Sequence, residues 1–215
     1  MDPHCAEALP FEHRTAAGVA LGRRLFGTHW PSKAIVLALP RGGVPVGKAV
    51  AHVLRLPFDV LVVRKVGHPE QSELAIGAVA AGGVTVRNPH AGSEISASRF
   101  EALAAHERVE VNKREVRYRS GRPPLSLDGK TVILVDDGLA TGATMHAALG
   151  AARLMGATCL VAAVPVGSRE GIEHLRPHAD QVICLFCPEP FQAVGMYYAD
   201  FAQLKDADVR DALAA

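Results

Sequence analysis

Cysteine is scarce: 4 residues in 215 form no disulfide framework of the kind that staples small secreted domains. Charge of one sign is missing too. A formal net charge of +1 argues against a general nucleic-acid binder, which carries a basic excess. No apolar run approaches the ~18 residues that span a membrane, and Met1 to Pro10 carries neither the basic nor the apolar region of a secretory leader. A reducing cytoplasm is the expected location. Three glycine signatures are absent as well. Without Gly-x-x-x-x-Gly-Lys-Ser/Thr the chain is not a P-loop hydrolase, and without Gly-x-Gly-x-x-Gly after the first apolar strand a dinucleotide cofactor has no support. Without Gly-x-Ser-x-Gly there is no hydrolase nucleophile elbow.

What remains is 49% hydrophobic, enough for one sizeable core and a single domain over 1–215. Apolar runs at Ala34–Leu39 and Val132–Val135 suit strands covered on both faces, and Phe58–Val63, Cys159–Val164 and Gln181–Phe186 read as further strands. Helical stretches at 12–26, 46–55, 145–155 and, capped by Ser168, up to Leu175 alternate with them. Strands alternating with helices predict an α/β, doubly wound parallel sheet.

One stretch organises the rest. Thr131 to Val135 leads into Asp136 and Asp137, then Gly138-Leu139-Ala140-Thr141-Gly142-Ala143-Thr144, then a helix. The acids stand at the carboxyl end of a buried strand, where open α/β sheets bind ligands. The glycines permit tight backbone geometry, and the threonine hydroxyls sit beside free helix-start N–H groups, which together cradle an anion. Carboxylates beside an anion cradle suit a ligand with a vicinal diol near a phosphate, since each carboxylate accepts hydroxyl hydrogen bonds. A ribose 5-phosphate has that layout.

The stretch from Val132 to Thr144 resembles the phosphoribosyl diphosphate (PRPP) signature of the type I phosphoribosyltransferases: apolar strand, two acids, two variable residues, then Thr-Gly-small-Thr. The resemblance implies that fold, with a lid insertion over about 67–124 and a small hood over about 187–204. It implies that Asp136 and Asp137 hold the ribose hydroxyls while Ala140, Thr141, Gly142, Ala143 and Thr144 hold the 5-phosphate. In the 6-oxopurine branch an Asp stands where this chain has Ala140, so hypoxanthine and guanine are disfavoured. The family's pyrophosphate loop, often built on a non-proline cis peptide, is matched by Arg41, Gly42 and Gly43 after the first strand. Arg64 and Lys65, at the end of the third strand, resemble the basic pair of the adenine and orotate branches. Arg41, Arg64 and Lys65 would compensate a highly charged ligand, each cation about 4 Å from a phosphate contributing on the order of 4 kcal/mol before desolvation. Asp136, Asp137, Arg41 and Lys65 are the expected catalytic set.

Between the basic pair and the acids, Ala75–Val79 and Val84–Val86 joined through Gly82-Gly83 predict a hairpin, and Ser96 or Ser98 starts a helix towards Arg119. The mixed charges of that helix predict a solvated face, and the resemblance makes one of its basic residues the candidate that closes on PRPP. Aromatic residues are only 5% of the chain, and the tail from Cys187 to Phe201 packs in four of them, Phe191, Tyr197, Tyr198 and Phe201. Two readings stay open there: Phe191 and Tyr197 wall the acceptor, or the rings seal the core or a dimer contact. Cys184 and Cys187 form a lone C-x-x-C read as core residues, and the histidines, His68 and His146 among them, show no ligand spacing. No protein metal site is assigned.

The tail and the general arrangement also resemble uncharacterised bacterial phosphoribosyltransferases, some fused to dienelactone-hydrolase-like domains. The implied activity is transfer of phosphoribosyl from PRPP to a small-molecule acceptor, a nitrogenous base or amine, releasing pyrophosphate, with Mg²⁺ bound mainly through PRPP. That places the chain in nucleotide metabolism as a homodimer with no nucleic-acid or membrane partner. The alternatives are a PRPP-sensing regulator without transferase activity, and a hydrolase of ribose-phosphate compounds.

Overall fold

The computed structural model describes residues 10–28, 30–71, 74–88, 91–119 and 122–214. In chain order the elements are α1 (Arg14–Phe26), β1 (Ala34–Ala38), α2 (Gly43–Leu54), β2 (Phe58–Val60), β3 (Val63–Gly67), β4 (Ala75–Ala80), β5 (Thr85–Arg87) and α3 (Ala97–Arg119). There follow β6 (Thr131–Val135), α4 (Ala143–Leu154), β7 (Cys159–Val166), α5 (Arg169–Leu175), β8 (Gln181–Phe186) and α6 (Asp206–Ala214).

Five strands form a parallel sheet in the order β2-β1-β6-β7-β8. Every residue of β1 and β6 is buried, because alternate side chains enter different layers. Val36, Ile133 and Val135 meet Leu21 and Leu25 of α1 and Val46 and Val50 of α2. Leu37, Val132 and Leu134 face the other way, onto Met145 and Leu149 of α4. Each such side chain contributes about 1.5–3 kcal/mol by leaving water. The absence of alternation in the apolar runs reports this two-sided cover.

The run Phe58–Val63 is not one strand. It pairs with β1 only as far as Val60, and the Leu61 N–H still reaches the Ala38 carbonyl at 3.0 Å. The Val62 carbonyl then accepts from Ala81 N–H at 3.0 Å, and β3 continues in a separate antiparallel sheet ordered β3-β4-β5. Leu61 and Val62 are fully buried at the crossing, so hydrophobicity stays continuous while the backbone partner changes. Arg64 and Lys65 therefore lie inside β3, opposite Val79 and Ala78, and not at the end of a parallel strand.

This second sheet begins at Val63, ahead of the expected insertion boundary near 67, and packs on both faces. Ala78 and Ala80 join the core around α4, while Ile76 and Val79 meet Phe100 and Ala104 of α3 and lie in one cluster with Val209 and Leu213 of α6. The predicted hairpin is β4 and β5, turning through Gly82 and Gly83, both at positive φ. Ser96 is the residue that caps α3, its hydroxyl accepting from Arg99 N–H at 3.2 Å. Both α2 and α4 begin earlier than their hydrophobic periodicity indicates, at Gly43 and Ala143, so small loop residues form the first helical turns. Helix α6 has no counterpart among the sequence expectations. Among the described residues no helix is long and apolar enough to cross a membrane.

Candidate active site

Adjacent β1 and β6 run in register from Ala34 opposite Thr131 to Ala38 opposite Val135, so their carboxyl ends finish side by side. The Leu39 N–H still donates to the Val135 carbonyl at 2.9 Å. The chain beyond each strand consequently meets at one edge: Pro40–Gly43 from β1, Asp136 and Asp137 from β6. The Pro40–Arg41 peptide is cis, as the resemblance leads one to expect of this loop.

The two segments touch. A Cβ on Gly42 would lie 2.2 Å from Asp137 Oδ2, and one on Gly43 would lie 2.6 Å from the Val135 carbonyl oxygen and 2.9 Å from Asp136 Cα. Only glycine lets the turn sit on the acid pair. Gly43→Ala is expected to lower unfolding free energy by about 1–3 kcal/mol, the usual cost of overpacking against a backbone that cannot retreat. A denaturant melt against Gly27→Ala is the check. A Cβ at Gly27 has nothing within 4 Å, so that control stays within about 0.5 kcal/mol of the parent.

Asp136 and Asp137 differ in their partners. Asp136 Oδ1 accepts from the Asp137 N–H at 2.9 Å. Burial, and after it the charge of Asp137, holds the Asp136 carboxyl well above the usual carboxylate range. Asp137 Oδ2 instead accepts from Arg14 Nε–H at 2.8 Å, with both side chains largely shielded from solvent.

Past the acids the loop is pinned from behind. Leu139 N–H donates to the Val166 carbonyl at 2.9 Å, and Ser168 N–H to the Leu139 carbonyl at 2.8 Å. The Ser168 hydroxyl donates to the Ala140 carbonyl and accepts from Gly171 N–H. Gly142 holds φ 79 at the head of α4, a left-handed position. Thr141 and Thr144 are exposed there beside the first N–H groups of the helix, which have no intrahelical carbonyl to donate to, and the Thr141 hydroxyl accepts from Ala143 N–H at 3.4 Å.

The phosphoribosyl transferase domain family matches residues 20–200, which include both segments. The chain belongs to this family. A Mycobacterium tuberculosis relative named for phosphoribosyl transferase is 44% identical over 202 residues, covering 93% of this chain and 45% of that protein. The chain thus spans less than half the length of that relative. The crystal structure of TT1426 from Thermus thermophilus superposes with a TM-score of 0.90 at 43% identity, over 95% of this chain and 98% of that one. A purine phosphoribosyltransferase of Pyrococcus horikoshii aligns at 15% identity and TM-score 0.48, over 89% and 92%.

In this phosphoribosyl transferase domain Arg41 and Arg64 are held by acids outside the acid pair. Arg41 lies 3.7 Å from Asp206 of α6, and the same carboxylate accepts from Arg117 and from Tyr118 Oη at 2.8 Å. Those bonds, Arg117 first, lower the Asp206 pKa; burial and the bond to Asp206 push the Tyr118 phenol up to about 12. Arg64 pairs with Glu107 of α3. Lys65 lies on the opposite face of β3 by strand alternation. The structure thus brings Gly42 and Gly43 against the acid pair, while the Arg41 side chain turns to Asp206 and Arg64 to α3.

The tail divides the two readings of its aromatic residues. Tyr198 is buried in a cluster with Phe11, and its hydroxyl donates to the Asp137 carbonyl at 2.5 Å. Phe191 and Tyr197 are half-buried and stack on each other at 5.5 Å. Val194 lies over the acid loop, where a Cβ on Gly138 would come within 2.4 Å of it. Of the C-x-x-C, Cys184 is half-buried, with its thiol pushed up to about 12 by burial and then by Cys187. Cys187 is exposed, contrary to the core expectation, because β8 has ended at Phe186.

Three histidines apart in sequence come together: His146 lies 3.9 Å from His178 and 5.0 Å from His174, ring centre to ring centre. They line a cavity of about 400 Å³ between α4, α5 and the hairpin. Burial, with the two neighbouring imidazoles, lowers the His146 pKa to about 4. Among the described residues no group of three or more His, Cys, Asp or Glu is placed to hold a metal.

Arg14, Ser168, Tyr198 and Asp206 were not among the expected site residues. Arg14 left one trace: it heads the stripe Arg14, Gly18, Leu21, Leu25, whose other members are all buried. A charge in line with a core stripe signals a buried partner.

Proposed function

We propose that the chain binds PRPP and transfers its phosphoribosyl group to a small-molecule nucleophile, releasing pyrophosphate. The observation that carries this reading is the junction at one sheet edge of the acid pair, the pinned Ala140–Thr144 loop and the Pro40–Gly43 turn, with Gly42 against the Asp137 carboxylate. A sugar phosphate with a leaving group at the far side of its ring needs those three contacts in that order. Asp136 and Asp137 accept the ribose 2- and 3-hydroxyl hydrogens. Ala140, Thr141, Gly142, Ala143 and Thr144 take the 5-phosphate through backbone N–H groups and hydroxyls. Arg41, Gly42 and Gly43 take the pyrophosphate, with Arg64 and Lys65 contributing positive potential from β3. Val194, Phe191 and Tyr197 border the acceptor side, and Ala140 offers no carboxylate to a 6-oxopurine.

As positive charge develops at ribose C1, the chain's contribution is placement and charge, with no covalent nucleophile. Mg²⁺ carried on the substrate's own oxygens would neutralise the leaving pyrophosphate. The acid pair fits that arrangement: one Asp136 oxygen already accepts from a backbone N–H and one Asp137 oxygen from Arg14, so the carboxylates face a diol in place of caging an ion.

The test is pyrophosphate release from PRPP and Mg²⁺ across purine, pyrimidine and pyridine bases and small amines, with an Asp136→Asn/Asp137→Asn control. Release that requires an acceptor and vanishes in the control is expected. Release without an acceptor would make the protein a hydrolase. PRPP binding with no turnover would make it a sensor, and failure to bind PRPP overturns the reading.

A further inference from the structure

The geometry points to Arg14 as the positioning residue that holds the acid pair ready for a sugar diol, a role that rests on the PRPP reading above. Arg14 comes from the first turn of α1, far from the acid pair in sequence. Its Nε–H donates to Asp137 Oδ2 at 2.8 Å, one Nη donates to the Ala202 carbonyl at 2.9 Å, and its guanidinium lies 3.7 Å over the Phe201 ring. The side chain is 11% exposed and that of Asp137 15%, so water screens the pair weakly.

The segments that hold Arg14 form a strap. Phe11 N–H donates to the Tyr197 carbonyl, Ala199 N–H to the Phe11 carbonyl and Asp200 N–H to the Glu12 carbonyl, all at 2.7–2.9 Å. Residues 11–14 and 197–202 thus cross the acid pair together. A guanidinium donating to one oxygen fixes the carboxylate plane and leaves the other oxygen for a hydroxyl. It also supplies a cation beside Asp136 that favours the ionised form of that carboxyl against burial, and only an ionised carboxylate offers every lone pair to a diol.

The other titratable groups facing the pair do not supply that charge. Tyr198 spends its hydroxyl on the Asp137 carbonyl, and burial, then the Asp137 charge, raises its pKa, so it stays neutral. Arg41, in the adjoining turn, lies toward Asp206. Arg14 is the counter-charge that works to lower the Asp136 pKa against burial and Asp137.

The experiment compares parent, Arg14→Met, Arg14→Lys and Phe201→Leu. PRPP binding is followed by calorimetry from pH 6 to 8.5, and the Asp136 carboxyl carbon of ligand-free protein is titrated by NMR. Arg14→Met is expected to weaken PRPP at least tenfold at pH 7, with part of the loss recovered by pH 8.5, and to move the Asp136 titration up by at least one pH unit. Arg14→Lys restores most of the affinity, and Phe201→Leu, which keeps the ion pair, loses less than Arg14→Met. An unmoved Asp136 titration overturns the inference even if PRPP is not the ligand. So does a loss equal at every pH and not rescued by lysine, which would mark a structural contact. Failure of the parent to bind PRPP, with the titration moving as expected, instead overturns the functional reading and leaves Arg14 as the keeper of the acid pair.

Discussion

Asp136→Asn is expected to raise the melting temperature of the ligand-free protein while removing most of its PRPP affinity. Burial and the neighbouring Asp137 hold the Asp136 pKa above its unfolded value. Between the two values the folded state binds more protons than the unfolded chain, so stability declines as pH rises through that window and stays low above it. Each unit of upward displacement costs about 1.4 kcal/mol in the ionised protein. Asparagine removes that cost and keeps a carbonyl oxygen where Oδ1 accepts from the Asp137 N–H. For a domain of this size each kcal/mol is worth about 2–4 °C. The gain should therefore be clear at alkaline pH and shrink as pH falls through the raised folded-state pKa, where the parent carboxyl takes up its proton. Affinity goes the other way, because a charge-assisted hydrogen bond of about 1.5–3 kcal/mol is lost with the carboxylate. Scanning calorimetry with and without PRPP reads both effects. A lower melting temperature without ligand would show that the carboxylate is there for the fold.

The contrast between Asp136 and its surroundings explains what was legible in sequence. The acid pair and the loop to Thr144 are contiguous, so their placement together at the end of a buried strand could be read directly. The same holds for the Pro40–Gly43 turn, the hairpin at Gly82-Gly83 and the Ser168 cap, each set by local backbone demands. The break at Leu61–Val62 was invisible because Val60 to Val63 are buried on both sides of it. Hydrophobicity reports burial and says nothing of which backbone supplies the hydrogen bonds. Helix α6 is short and polar, with Val209 and Leu213 as its buried residues, too little pattern to stand out. Arg14 and Asp206 act across 123 and 88 residues of chain, on Asp137 and Tyr118. No local rule carries such a pairing.

The contacts of α3 show the same limit and support the second large effect. Mixed charges along that helix read as a solvated face, and Lys113 with Glu110 is such a pair. Arg119 is not: it is 8% exposed, with Nε–H donating to Glu115 at 2.8 Å and both Nη groups to Asp59 at 3.2 Å. One Nη also reaches the Pro123 carbonyl at 3.1 Å. The signal lay in position, since Glu115 and Arg119 fall four apart beside the buried Val111 and Tyr118. Asp59 belongs to β2 of the parallel sheet, so this one guanidinium fastens the helix of the second sheet to the edge of the first.

Arg119→Met leaves Glu115 shielded without its cation, and leaves Asp59 only the half-exposed Arg122, 3.8 Å away. Glu115 is already strained in this sense: burial raises its pKa despite Arg119, and its Oε1 is buried without a hydrogen-bond partner. Removing one member of such a network costs about 3–5 kcal/mol, whereas replacing all its charges with neutral groups is often close to neutral. The single variant should therefore melt roughly 10 °C lower. The triple variant Arg119→Met, Asp59→Asn, Glu115→Gln should regain most of the loss. The Asp136 carboxyl titration should stay in place in both, since no member of the network touches the acid pair. A single variant within about 1 kcal/mol of the parent would return Arg119 to the solvated face, and a triple variant no better than the single would show that Arg119 works through its aliphatic stem, packed between β2 and α3, more than through charge.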